Sequence, residues 1–201
     1  MDANLNKWQT VKPKWVLANE DKLKKEGFRI QAAARFLVKR LGYNIIKGEQ
    51  EIAGQNQVAI LESKVGSHLA RYSDYIVKKG RHVFVIEVKA KEYSSYLIDS
   101  EKVLMFNNSI FLRRNYVDTI ASVIVLAILY PRGLFERSSM HRKKAYYVLK
   151  STEGSPTAEG GVEITLAQDP QSYRWIQANT LRRWIKESKR DAEALVQMHS
   201  N

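Results

Sequence analysis

The chain contains no cysteine and no apolar segment long enough to cross a membrane. Without cysteine there can be no disulfide framework, no thiolate metal site and no cysteine nucleophile. The longest largely apolar run covers residues 120–130, which is about half of the roughly 20 residues that a membrane-spanning helix needs. The first ten residues (MDANLNKWQT) also lack the apolar core of a secretory signal. We therefore expect a soluble, cytoplasmic protein with no membrane partner.

Two common kinds of site are missing from the sequence as well. The four histidines, at positions 68, 82, 141 and 199, do not have the spacing of a zinc site. No glycine-rich phosphate loop of the nucleotide-hydrolase type is present. The sequence therefore predicts neither zinc binding nor an ATP-driven motor.

Positive charge, in contrast, is abundant. The 201 residues include 33 Lys and Arg against 21 Asp and Glu, which gives a formal net charge of +12 at pH 7. Residues 1–130 and residues 131–201 both carry a positive surplus, so the charge is not confined to a basic arm. Such a surplus favours a polyanionic partner, with nucleic acid ahead of an anionic membrane. The alternative is that the charge only keeps the protein soluble.

The chain is long enough to bury a core as one domain with additions, and its 44% apolar and 27% charged residues are typical of a globular protein. Its one low-complexity stretch, residues 151–161 (STEGSPTAEGG), is predicted to be a loop. The predicted organisation is an N-terminal arm (1–19), a core (20–150), this loop, and a C-terminal hairpin and helix packed on the core (162–201).

Hydrophobic periodicity predicts the elements of an α/β fold. A first helix is predicted from Asp21 to Leu41, where an apolar stripe ends before Gly42. A last helix is predicted to begin at Asn179 or Thr180, since either can act as an N-cap. The other predicted elements are strands at 43–46, 58–61, 72–77, 82–90, 122–130 and 145–149, a helix at 95–106, and a hairpin of strands at 162–166 and 173–176. This order indicates a central mixed β-sheet flanked by helices, with a C-terminal hairpin and helix.

Charged residues interrupt an apolar strand at Glu87 and Lys89, on one side of that strand. A hairpin with Gly80 in its turn places Asp74 opposite Glu87. The two carboxylates and the backbone carbonyl of Val88 then form an oxygen-rich site for Mg²⁺ or Mn²⁺, with the Lys89 ammonium beside it. The sequence therefore predicts phosphodiester hydrolysis, in which the cation polarises a phosphate oxygen and lowers the pKa of a bound water. Lys89 orients that water and offsets the developing charge.

These residues resemble the signature of the PD-(D/E)xK nuclease superfamily, and most of all its archaeal Holliday-junction resolvases. The resemblance covers roughly residues 27–130: Gly27 and Gln31 on the first helix, Gly42-Tyr43 at its end, then Asp74, and Glu87-Val88-Lys89 on the strand. It implies a restriction-endonuclease-like core and a metal-dependent endonuclease acting on DNA, in particular branched DNA. It also implies products with 5′-phosphate and 3′-hydroxyl ends and a possible homodimer.

The sequence departs from that family at two site positions. Ser73 stands where the motif names proline, and Gln31 stands where the family's helix has a glutamate. Gln31 is predicted to complete the site with Asp74, Glu87 and Lys89, and Glu26, earlier on the same helix, is the accessory alternative. Other interpretations remain open: a catalytically inactive nucleic-acid-binding module on the same fold, a restriction, mobile-element or RNA-directed nuclease, and a protein-interaction domain whose charge serves only solubility. For the site itself, the alternative is that Asp74, Glu87 and Lys89 form only a cross-strand salt bridge on an exposed face of the sheet.

Basic residues outside the strand are candidates for contacts with the nucleic-acid backbone. DNA is the preferred partner and RNA the alternative. The predicted contact residues are Lys91, Lys102, Arg113, Arg114, Arg142 and Lys143.

Overall fold

A computed structural model describes residues 18–47, 73–93, 109–113, 123–136, 143–151, 155–156, 161–165 and 170–198. Three α-helices are described: α1 (Glu20–Arg40), α2 (Ala178–Glu187) and α3 (Lys189–Met198). The strands are β1 (Asn44–Lys47), β2 (Tyr75–Lys79), β3 (His82–Tyr93), β4 (Ser109–Arg113), β5 (Val123–Pro131), β6 (Lys144–Ser151), β7 (Ser155–Pro156), β8 (Gly161–Thr165) and β9 (Arg174–Gln177). The predicted strand at 58–61 and the predicted helix at 95–106 lie outside the described residues.

Helix α1 follows the prediction from the sequence to within one residue at each end. Acidic residues occupy its first turn and basic residues its last turn, an arrangement that complements the helix dipole. At the C-terminus the amide of Gly42 donates to the Lys39 carbonyl, and Gly42 has a φ of 83°. Glycine adopts this left-handed conformation without steric cost, and the helix therefore ends there.

The main sheet is mixed and has six strands in the order β1-β2-β3-β5-β6-β9. Strands β3 and β5 are parallel, and every other neighbouring pair is antiparallel. Eight of the nine residues of β5 are buried, as expected for a strand between two neighbours with both faces covered. The prediction of an α/β fold built on a mixed sheet with helices is confirmed.

Helices α1 and α2 pack on one face of this sheet. Ile30 and Leu37 of α1 join Ile86 and Val88 of β3 and Leu181 of α2 in one core cluster. Each of these side chains is almost fully buried, and each contributes about 1.5–3 kcal/mol relative to an exposed position. Helix α3 contacts α1 through Ala192 and Leu195. The even-numbered residues of β3 therefore face the helices, whereas Glu87 and Lys89 belong to the other face.

The predicted C-terminal hairpin is wrong. Strand β8 pairs with β4 and β7 in a separate three-stranded sheet, and β9 pairs with β6 at the edge of the main sheet. Alternating apolar residues identify a strand but do not identify its partner, which depends on packing between segments that are distant in the sequence. Strand β7 also falls inside the stretch that was predicted to be a loop.

The predicted single last helix is two helices. The chain passes from β9 directly into α2, and Gln177, not Asn179 or Thr180, occupies the N-cap position without a side-chain cap bond. The break lies at Ser188, whose fully buried hydroxyl donates to the Trp184 carbonyl. A serine that bonds back to the preceding turn competes with the regular helix ladder. Among the described helices, none is both long and apolar enough to cross a membrane.

Candidate metal and nucleic-acid site

The β2–β3 hairpin positions the predicted catalytic residues. Lys79 pairs with His82 around a two-residue turn, and Tyr75 pairs with Ile86. The regular pairing ends at Tyr75, and its continuation by one residue would put Asp74 opposite Glu87, the arrangement expected from the sequence. Directly opposed residues of an antiparallel pair lie on the same face of a sheet, so this continuation assigns Asp74 to the face of Glu87, away from α1.

The carboxylate of Asp74 is fixed by the backbone of β3. The amide of Val88 donates to Asp74 Oδ2 over 2.6 Å, a short distance that fits a charge-assisted bond. Strand β2 begins only at Tyr75, so the Asp74 side chain accepts at the point where the regular ladder stops. The N–H and C=O of one strand residue point to the same neighbour. The Val88 carbonyl is therefore also directed to the side on which Asp74 lies.

Glu87 and Lys89 form an ion pair along β3. Lys89 Nζ lies 2.5 Å from Glu87 Oε1, and the two side chains are 40% and 24% exposed, respectively. Because both remain accessible, a phosphate and a cation can approach them from solvent. The contact links two residues of one strand, so it differs from the cross-strand salt bridge considered from the sequence.

The oxygen donors of this face are chemically suited to a hard divalent cation. Mg²⁺ is commonly bound through one or two carboxylates, with water and substrate phosphate completing its shell. Asp74, Glu87 and the Val88 carbonyl provide such a set. Within the described residues, no group of three or more His, Asp and Glu side chains is arranged to hold a metal.

Gln31 and Glu26 lie on α1, which packs against the opposite face of β3. The backbone carbonyl of Gln31 accepts the Tyr75 hydroxyl over 2.7 Å. This bond connects the middle of α1 to the first residue of β2, next to Asp74. Gln31 thus belongs to the part of the helix nearest the start of β2, whereas Glu26 lies more than one turn away toward the N-terminus of α1.

Glu26 instead lines a separate cavity of about 620 Å³ between α1, the end of β3 and the turn after β5. Its side chain is buried, and this burial raises the pKa of the carboxyl above its ordinary value of 4.5. Glu92 and Glu136 raise this pKa further, while Lys22 and Arg29 oppose the rise. Burial also raises the pKa of the Tyr130 phenol, and the charges of Glu26 and Glu92 add to that effect.

The residues predicted to contact nucleic acid are only partly described. Lys91 follows Glu87 and Lys89 on the same face of β3, and partial burial lowers the pKa of its ammonium. Lys143 precedes β6, and its carbonyl accepts the amide of Ala178. Arg113 pairs with Gly161 at the end of β4. Lys102, Arg114 and Arg142 lie outside the described residues.

The sequence analysis missed the carboxylates that face Glu26. Glu92 belongs to β3, which extends to Tyr93 although the prediction ended it at Ala90. Strand alternation places residue 92 on the same face as Val88, and a longer predicted strand would have directed Glu92 toward α1. Glu136 follows the turn after β5, and no periodic signal in the sequence identifies its position.

Comparison with known proteins gives no significant match to a family model, to a curated protein or to a solved structure.

Proposed function

We propose that this protein is a metal-dependent nuclease that hydrolyses phosphodiester bonds of DNA. The observation that supports the proposal is that Asp74 bonds to the strand that carries Glu87 and Lys89: the Val88 amide donates to Asp74 Oδ2, and Lys89 contacts Glu87. This is the arrangement that the PD-(D/E)xK resemblance implies for its two acidic residues and its lysine. The mixed sheet with α1 packed on its other face is in keeping with a restriction-endonuclease-like core.

Each residue has a separate part in the proposed chemistry. Asp74, Glu87 and the Val88 carbonyl would hold one divalent cation, Mg²⁺ or Mn²⁺, which would supply Lewis-acid chemistry at a phosphate oxygen. Lys89 orients the attacking water and offsets the negative charge that develops on the phosphorus centre. The water loses a proton to solvent as its oxygen bonds to phosphorus, the bond to the 3′-oxygen breaks, and that oxygen takes up a proton from solvent, which leaves a 5′-phosphate and a 3′-hydroxyl. Gln31 holds the start of β2 in place through Tyr75.

The test is a cleavage panel with wild-type protein and Lys89→Ala. The substrates are supercoiled plasmid, linear, nicked, single-stranded and branched DNA, and RNA, each with Mg²⁺, with Mn²⁺ and with chelator. We expect metal-dependent cutting that falls by about 10²–10³-fold in Lys89→Ala, the range for loss of one group that stabilises developing charge. Because an exposed ion pair contributes only about 0–1 kcal/mol, the variant should keep its fold.

Lys78→Ala is the matched control, since Lys78 is an exposed lysine at the other end of the same hairpin. It should cut DNA at the wild-type rate. If Lys89→Ala cuts as fast as the wild type, or if chelator leaves cutting unchanged, the assignment is wrong.

A catalytically inactive nucleic-acid-binding module is the second candidate. One argument for it is Gln31, a neutral residue at the position where the nucleases that the sequence resembles have a carboxylate. The other is that the Glu87 carboxylate is already paired with the Lys89 ammonium. Its expected signature is salt-sensitive binding to DNA without cleavage in either metal.

A further inference from the structure

A second concave site lies where the three helices meet the turn after β5, on the side of the sheet that carries α1. It has a volume of about 490 Å³. We call it the helix pocket, and define it by Lys25 and Arg29 of α1, the turn residues Leu134 and Phe135, Arg182, Ile185 and Lys186 of α2, and Lys189, Ala192, Glu193 and Val196 of α3. Asp74, Glu87 and Lys89 lie on the other face of β3, so the helix pocket is separate from the proposed nuclease site.

The inner wall of the helix pocket is apolar. Leu134 and Ala192 are buried, and Phe135 and Ile185 pack against the main core cluster. Val196 of α3 is half-buried at the same wall. Leu134 and Ala192 expose almost no surface themselves, so the apolar area that a ligand would remove from water belongs to the half-buried Phe135, Ile185 and Val196. Its removal is favourable by roughly 25 cal/mol per Å².

The rim of the helix pocket is cationic. Five basic side chains line it against one acidic side chain, Glu193. Arg182 is fixed in the wall, where it donates to the carbonyls of Leu134 and Glu136 over 3.0 and 3.1 Å. Arg29 lies 5.5 Å from the centre of the Phe135 ring.

The ammonium groups on the two sides of the opening differ in their partners. Lys189 Nζ lies 3.6 Å from the Glu193 carboxylate. Within the described part of the chain, Lys25 and Lys186 form no ion pair, although both line the pocket. The rim therefore keeps a net positive charge after the ion pair between Lys189 and Glu193 is counted.

We propose that the helix pocket binds a small amphipathic carboxylate, with its apolar body on Phe135, Ile185 and Val196 and its anionic head near Lys186 and Lys25. The volume falls within the roughly 300–1,000 Å³ that is usual for small-molecule sites. A nucleic-acid backbone would satisfy the cations but would leave the apolar wall in water. An acidic peptide has suitable chemistry, and its binding is therefore one of the outcomes that the experiment below distinguishes. The inference does not depend on the nuclease proposal.

The experiment is isothermal titration of the full chain with dodecanoate. Dodecylamine has the same chain with the opposite charge, and acetate has the same head without the chain. We expect dodecanoate to bind at one site, dodecylamine to bind at least tenfold more weakly, and acetate to give no measurable heat. Lys186→Glu and Val196→Glu should each weaken dodecanoate binding about tenfold, by charge reversal and by loss of the apolar wall.

Lys39→Glu is the matched control, because Lys39 is an exposed lysine in the last turn of α1, outside the pocket. It should leave dodecanoate binding unchanged, and circular dichroism should show that all variants are folded. The proposal is overturned if dodecanoate does not bind, if dodecylamine binds equally well, or if Lys39→Glu has the same effect as Lys186→Glu. Binding of an amphipathic Glu/Leu peptide in place of dodecanoate would overturn it in favour of a peptide groove.

Discussion

At the scale of single residues, Asp74 has a structural and a chemical role that substitutions can separate. Its carboxylate accepts the Val88 amide and is one of the two proposed metal ligands. Asp74→Asn keeps an oxygen acceptor of the same shape, whereas Asp74→Ala leaves the amide without that partner. We expect urea unfolding to show little change in stability for Asp74→Asn and a loss of about 1 kcal/mol for Asp74→Ala.

Both Asp74 variants should lose metal-dependent cleavage, because neither retains the charge that a hard cation requires. Plasmid cleavage at saturating Mg²⁺ is the measurement. Wild-type cutting by Asp74→Asn would contradict the assignment of Asp74 as a ligand, whatever the stability of the variant.

Glu26 should make the stability of the protein depend on pH. Desolvation is the largest cause that raises its pKa in the folded state, so the folded protein keeps this proton at pH values where the unfolded chain has lost it. The wild type therefore loses stability relative to Glu26→Gln as the pH rises from about 4.5 through the raised pKa. Above that window the difference is constant.

Urea unfolding of the wild type and Glu26→Gln at a series of pH values measures this difference directly. The Gln variant should gain in relative stability as the pH rises, and then level off. The opposite trend would mean that attraction to Lys22 and Arg29 outweighs desolvation together with the repulsion from Glu92 and Glu136.

At the scale of secondary-structure elements, two glycines give stability changes of opposite sign. Gly80 has a φ of 60° in the β2–β3 turn, whereas Gly27 lies inside α1, and an added Cβ meets no atom within 4 Å at either position. Gly80→Ala should destabilise the protein by about 1–2 kcal/mol through left-handed strain. Gly27→Ala should stabilise it by roughly 0.5–1 kcal/mol through helix propensity. Thermal unfolding of the two variants is the measurement, and a shift of the same sign in both would contradict the argument.

The sequence predicts the local elements well because their signals are local. The apolar stripe of α1, Gly42 at its end and the Gly80 turn determine a helix and a hairpin without reference to the rest of the chain. The register that brings Asp74 opposite Glu87 follows from that turn, so this part of the candidate site could be read from the sequence. The partners of β8 and β9 could not, since strand pairing depends on packing between distant segments. The same limit applies to the helix pocket, which three stretches far apart in the sequence form together: part of α1, the turn after β5, and α2 with α3.

At the scale of the whole molecule, the charged residues have different surroundings on the two faces of the main sheet. On the face away from α1, Glu87 is paired with Lys89, and Lys91 follows on the same strand, a combination that would suit a cation together with a phosphate. On the face that carries α1, the cations surround an apolar wall. The basic side chains behind the net charge of +12 therefore lie in surroundings of different chemistry. We expect only some of them to contact DNA.

The salt dependence of DNA binding measures that part. With the metal chelated to prevent cutting, log K for a labelled DNA duplex should fall linearly with log[salt], because each neutralised phosphate releases counterions. About six phosphate contacts would weaken binding roughly 10³-fold between 50 and 200 mM salt. Lys89→Ala should reduce the slope of log K against log[salt] by about 1 at most, the value for one lost phosphate contact, although the same variant is expected to lose cleavage. Fluorescence anisotropy measures the binding constant and its salt slope. An absence of binding at 50 mM salt would contradict both the nuclease and the inactive DNA-binding module. The positive charge would then serve only to keep the protein soluble.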